Sequence, residues 1–151
     1  MSPVSAYRNQ RLTVRLWQQL DAAAPAEYEV MPESNVALGG DRALIPDFCV
    51  IDRPGLEGVI LSARHVVLVG EIVSPSTRVY DRTTKRALYA EAGVPYLLMV
   101  DPGCQPPSAV CYELLDGDYV ERVRSENGLL RLDRPFPVRL TLTLSDPPTA
   151  G

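Results

Sequence analysis

One histidine, one lysine and three cysteines stand among 151 residues. His65 with Cys49, Cys104 and Cys111 is too little material for a His/Cys zinc cage, and no CxxC spacing is present. An odd, unpatterned set of cysteines also excludes a disulfide framework and supports no Cys104–Cys111 bridge; the three read as small hydrophobes of a reducing compartment. Long hydrophobic runs are missing too. The longest, Val66 to Val73, is broken by Glu71 and is far shorter than a membrane span. The opening MSPVSAYRNQRL has no basic segment followed by an apolar one, so neither export nor membrane insertion is expected, and the chain reads as cytoplasmic. Basic excess is absent as well: net charge is −4, which suggests no nucleic-acid partner by itself but fits a site that gathers carboxylates around a cation. There is no internal repeat and no G-x-S-x-G elbow around Ser62 or His65, and Gly39-Gly40 matches no phosphate loop.

What remains is an ordinary globular composition, 46% hydrophobic and 23% charged, in a chain of one-domain size. A single domain over residues 1–151 is expected, with residues 146–151 as a loose tail after Pro147-Pro148. Leu12, Leu16 and Leu20, with Trp17 beside them, predict a helix over 6–23 that ends before Pro25. Short strands are expected at 28–31 and 36–38, and a longer one over 43–51 with Asp47 inside it. Pro54-Gly55 marks a turn. The β-branched run 65–73 reads as a central strand. A second helix is expected over 81–92, capped by Thr77 or Asp81 at its start and by Gly93 at its end. A strand over 96–100, a hairpin of 110–114 and 119–123 around Asp116-Gly117, and a half-exposed strand over 138–144 complete the pattern.

Three residues interrupt otherwise apolar faces. Glu71 sits in VVLVGEIV, where an ionised carboxylate is costly unless paired, hydrogen-bonded or metal-bound; the plainer alternative is a strand end that reaches solvent. Asp47 breaks the apolar run after Pro46, whose missing N–H suggests a strand start or bulge; a turn aspartate is the alternative. Lys85 is the one lysine beside fourteen arginines. At about 100° per residue it falls within the stripe of Leu88, Tyr89 and Ala92, whereas Arg82, Arg86 and Glu91 fall outside it. Its amine should therefore face the sheet, unless it snorkels out or pairs with Asp81. Two carboxylates and an ammonium suit a hard divalent cation and a phosphodiester. Arg78, Arg82 and Arg86 either line a phosphate groove or form a solvated face. Tyr112 and Tyr119 read as cross-strand partners in the hairpin.

The stretches Pro46-Asp47, Glu71 to Arg78, Asp81, Lys85, Leu88 to Tyr96 and Val100-Asp101-Pro102 resemble the Uma-two family, restriction-endonuclease-like members of the PD-(D/E)XK nuclease superfamily. The resemblance runs from about residue 8 to 144. It implies an α/β or α+β fold with a central mixed sheet flanked by helices. It also implies a site in which Asp47 and Glu71 bind Mg²⁺ or Mn²⁺ together with the Ile72 carbonyl, while Lys85 replaces the lysine expected where Val73 stands. Tyr89 would support Lys85, and Ser76, Arg78 and Arg82 would support the site or bind substrate. The chain departs from the family in starting almost at the first helix and in having Asn9-Gln10 where many members carry a histidine, which weakens any role for that helix. The resulting expectation is metal-dependent hydrolysis of DNA, with a homodimer suited to cutting two strands. The alternative is a catalytically silent nucleic-acid- or protein-binding module, or a dimeric scaffold, on the same fold.

Overall fold

The structure, a computed structural model, describes residues 3–73 and 81–144; of residues 3–5, 81 and 82 only the backbone is described. The expected tail at 146–151 and the cap at Thr77 or Asp81 lie outside what is described. The first helix, α1 (Pro3–Ala23), begins earlier than its leucine pattern and ends where expected. Eleven strands follow among the described residues: β1 (Glu29–Met31), β2 (Val36–Gly39), β3 (Arg42–Leu44), β4 (Phe48–Ile51), β5 (Leu61–Ser62), β6 (Val66–Ile72), β7 (Tyr96–Asp101), β8 (Ser108–Leu115), β9 (Asp118–Arg124), β10 (Leu129–Leu132) and β11 (Val138–Thr141). Between β6 and β7 a π-helical turn (Asp81–Lys85) runs into α2 (Arg86–Glu91).

Six strands form the central sheet in the order β1-β4-β6-β7-β8-β9. Only β6 and β7 are parallel, because only they are joined by a helical crossover; the rest pair antiparallel. Side chains alternate between the two faces. Phe48, Val50, Leu68, Leu98 and Val100 pack with Leu12, Leu16 and Leu20 of α1 and with β10 and β11. Cys49, Ile51, Val69, Leu97 and Met99 pack on the other face with Tyr89 and Val94. Burial on both faces explains why β4, β6 and β7 read as nearly continuous apolar runs.

Gly70 stands opposite Phe48 in the β4–β6 register. A Cβ there would lie 2.1 Å from Phe48 Cε2 and Cζ, so the ring occupies the space a side chain would need. Gly93 ends α2 with φ +80°, and the Val94 N–H closes back onto the Tyr89 carbonyl at 3.1 Å. Asp116 and Gly117 both have positive φ, the geometry of the tight β8–β9 turn.

One expected strand is corrected. Residues 43–51 do not form a single strand: β3 belongs to a small sheet with β2 and β5, β4 to the central sheet, and Ile45-Pro46-Asp47 joins them. Pro46 has no N–H for a ladder, whereas the Asp47 N–H already bonds to the Gly70 carbonyl at 3.0 Å. His65 ends a 3₁₀ turn instead of opening β6. The short β5 and β10 were not anticipated. The three cysteines are free; Cys49 and Cys111 are buried, which pushes both thiols up to about 12, while Cys104 is exposed. No described helix is long and apolar enough to cross a membrane.

Candidate functional site

Glu71 is the penultimate residue of β6 and is only 3% exposed. Alternation places it on the Tyr89 face of the sheet, in line with Val69. Both of its oxygens are engaged from the helix side. Lys85 Nζ donates to Oε2 at 3.2 Å, and the Tyr89 hydroxyl donates to Oε1 at 2.6 Å. Lys85 and Tyr89 are four residues apart, so they share one face of the helical segment. The expected inward aim of Lys85 is therefore what the structure has. Tyr89, by contrast, bonds Glu71 and not Lys85.

Asp47 approaches from the start of β4. Its Oδ2 accepts the Ile72 N–H at 2.6 Å, one residue beyond Glu71. Burial is the main influence on Glu71 and pushes its carboxyl up to about 7; the Tyr89 hydrogen bond and the Lys85 charge pull it down, and the Asp47 charge raises it. Tyr89 is held above its ordinary range by burial first and by the Glu71 charge second. Asp47, Glu71, Ile72, Lys85 and Tyr89 thus meet at one end of β6. Ser76 and Arg78 lie outside the described residues, as does the Arg82 side chain.

Arg86 is half-buried and engaged within the fold. Its Nη2 donates to the Tyr119 carbonyl at 2.6 Å, and its Cζ lies 4.4 Å from the centre of the Tyr112 ring. The two tyrosines are not cross-strand partners either: Tyr112 stands opposite Glu121, Tyr119 opposite Leu114. Tyr119 sends its hydroxyl to the Val94 carbonyl at 2.7 Å, a contact that turns it under the helix instead of across the hairpin. His65 Nδ1 lies 3.2 Å from Asp52 Oδ1, away from the carboxylate cluster in the chain's small-sheet region.

A cleft of about 760 Å³ opens beside Asp47 and Ile72. Its other walls are Ala6, Asn9, Gln10, Thr13, Val14 and Trp17 of α1, with Pro32 and Glu33. The sequence reading discounted the first helix and missed this wall. The signal was present: residues 6, 10 and 14, and residues 9, 13 and 17, recur every fourth position beside the leucine stripe.

Among the described residues, no three His, Cys, Asp or Glu side chains converge to hold an ion. The two acids gathered at this end of β6 are Asp47 and Glu71; Ile72 follows Glu71 in the chain and bonds Asp47 through its N–H.

A solved "putative nuclease belonging to DUF820" from Anabaena variabilis superposes with a TM-score of 0.61 at 15% identity, over 76% of this chain and 66% of that one. In sequence, the chain is 29% identical over 146 residues to 2,3,4,5-tetrahydropyridine-2,6-dicarboxylate N-succinyltransferase of Acinetobacter baylyi, covering 86% of this chain and 53% of that enzyme. It is 28% identical to the protein of that name from Idiomarina loihiensis, covering 85% and 52%. The chain spans about half the length of these curated relatives, and the transferase name is theirs. The fold is restriction-endonuclease-like, with a central mixed sheet and few helices. The Uma2 family model, "Putative restriction endonuclease", matches residues 1–145, and the chain belongs to that family.

Proposed function

We propose that the chain is a divalent-cation-dependent nuclease that hydrolyses phosphodiester bonds of DNA, with Asp47 and Glu71 as metal-binding acids and Lys85 as the catalytic amine. The observation that carries this is the buried Glu71 carboxylate, met by Lys85 and Tyr89 at the end of the strand whose Ile72 N–H bonds Asp47. A buried acid with its carboxyl near 7 is poorly stabilised as an anion by its present partners, and a cation would supply the missing stabilisation. The donor set is hard oxygen throughout. Two carboxylates and a carbonyl suit Mg²⁺ or Mn²⁺, which keep several waters, better than Zn²⁺, which favours His and Cys donors. Asp47, Glu71 and the Ile72 carbonyl would hold the ion, which when bound would polarise the phosphoryl group and lower the pKa of a bound water.

The protein's own groups do the rest. Lys85, three-quarters buried, presents an ammonium that holds the attacking water and offsets negative charge as it develops on the phosphorus oxygens. Tyr89 fixes one Glu71 oxygen through its hydroxyl, leaving the other to face Lys85. The Ile72 N–H orients Asp47 through its Oδ2. Calorimetric titration of Mn²⁺ into wild type and Glu71→Gln, followed by plasmid nicking with the same samples, tests the reading. Binding and nicking should both vanish in the variant. A nicking-competent Glu71→Gln protein would refute it.

The 3.2 Å Lys85–Glu71 pair favours one second reading, a silent binding module or scaffold in which the pair is purely structural. Lys85→Met separates the two. In the nuclease, nicking is lost while Mn²⁺ binding persists; in the scaffold, wild type neither binds Mn²⁺ nor nicks, and the variant simply melts lower.

A further inference from the structure

We infer that the cleft beside Asp47 is a nucleobase site, and that the substrate strand enters with one base unpaired, lodged against Trp17 of α1. This rests on the nuclease reading and specifies its substrate: a single strand, or a duplex locally opened.

The argument begins with continuity. Asp47 and Ile72 belong both to the proposed metal site and to the cleft wall, so whatever fills the cleft adjoins the scissile phosphate. Size comes next. A space of about 760 Å³ is within the range of small-ligand sites and far too small for a duplex. Charge then separates the parts of a nucleotide. The cleft is lined by two acids, Glu33 and Asp47, and by no lysine or arginine, so a phosphate is repelled from it. A neutral heterocycle is not. Its faces suit the apolar side chains Ala6, Val14, Trp17 and Pro32, and its polar edge suits Asn9, Gln10, Thr13 and the Glu33 carboxylate. The Trp17 ring is fixed for such a role because its Nε1 donates to the Val30 carbonyl at 3.0 Å. The net charge of −4 points the same way: the chain has no basic excess with which to grip a duplex backbone, so stacking must contribute more of the affinity.

Trp17 is the sole tryptophan, which makes its fluorescence a direct report on the cleft. The full chain, in EDTA so that no hydrolysis intervenes, is titrated with a short single-stranded deoxyoligonucleotide and with the same sequence annealed to its complement. Saturable quenching by the single strand, at least tenfold tighter than by the duplex, is expected. Thr13→Phe, which fills the cleft, should weaken that binding about tenfold, and Gln10→Ala, at an exposed position, by a few fold. Circular dichroism confirms that each variant is folded. Equal affinity for the two forms, no quenching, or binding unchanged in Thr13→Phe overturns the inference. So does a dimer that Thr13→Phe dissociates while strand binding is unaffected, since the cleft would then be a contact between two copies. The two readings fail separately. Quenching without nicking in Mn²⁺ keeps the base site and removes the nuclease; nicking without quenching does the reverse.

Discussion

Replacing Glu71 by Gln should change how stability depends on pH, in a direction and over a window that burial dictates. The Glu71 carboxyl ordinarily titrates at 4.5 and is pushed up to about 7 in the folded chain. Between those values the unfolded chain has released this proton while the folded chain still holds it. The folded state binds the extra proton, so rising pH favours unfolding. The stability associated with the protonated acid is complete below pH 4.5 and is lost as pH rises through about 7. At about 1.4 kcal/mol per pH unit, the loss approaches about 3 kcal/mol. Gln has no proton to lose, so the variant lacks this slope. Urea denaturation of both proteins in EDTA, followed by far-ultraviolet circular dichroism at several pH values, reads the difference directly. Wild type should lose about 3 kcal/mol relative to Glu71→Gln between pH 4.5 and pH 8. At pH 8, Mn²⁺ at about a hundred times its dissociation constant should return about 2.7 kcal/mol to wild type and nothing to the variant. Parallel stability curves would refute the reasoning, because they would mean that burial does not hold the proton on Glu71.

Three further substitutions probe the surroundings of the site. Tyr89→Phe deletes the 2.6 Å donor to a buried carboxylate and should cost about 2 kcal/mol at pH 8 but clearly less at pH 5, where the acid is protonated; melting curves at the two pH values would show whether the costs differ. Gly70→Ala forces a Cβ against the Phe48 ring and should destabilise by about 3 kcal/mol, with part of the loss recovered when Phe48→Leu is added; strictly additive denaturation midpoints would exclude the clash as the cause. Arg86→Ala removes both the Tyr112 ring contact and the bond to the Tyr119 carbonyl, and should cost about 2 kcal/mol while leaving nicking per folded molecule unchanged; a selective loss of nicking would return Arg86 to the substrate side.

Where the deciding physics was local, it could be read before folding was considered. Glu71 stands out because a charge in an apolar strand violates solvation, and it is indeed buried and doubly bonded. The aim of Lys85 follows from helical periodicity, and Gly93 and the Asp116-Gly117 turn follow from backbone sterics. Long-range docking is what a linear pattern cannot contain. Periodicity put Arg86 off the apolar stripe, yet α2 lies beside the β8–β9 hairpin, so an off-stripe position meets a tyrosine ring instead of water. The same limit hid the cleft, whose wall exists only because α1 packs alongside the end of β6 and the residue before β4. Residues 43–51 were misjoined because apolar strands of two different sheets abut in the chain, with Pro46 as the sole mark of the break.

The contact between Phe48 and Gly70 reaches beyond packing. Phe48 directly follows Asp47, Gly70 directly precedes Glu71, and the two are register partners on adjacent strands. The spacing of the two acids is therefore gauged by a hydrocarbon contact and not by the acids themselves, which repel one another. On the nuclease reading, a cation would meet two acids whose strands are already held in register before it arrives. A larger residue at Gly70 would press on the ring and, through the two neighbouring positions, on the spacing of the carboxylates without touching either of them.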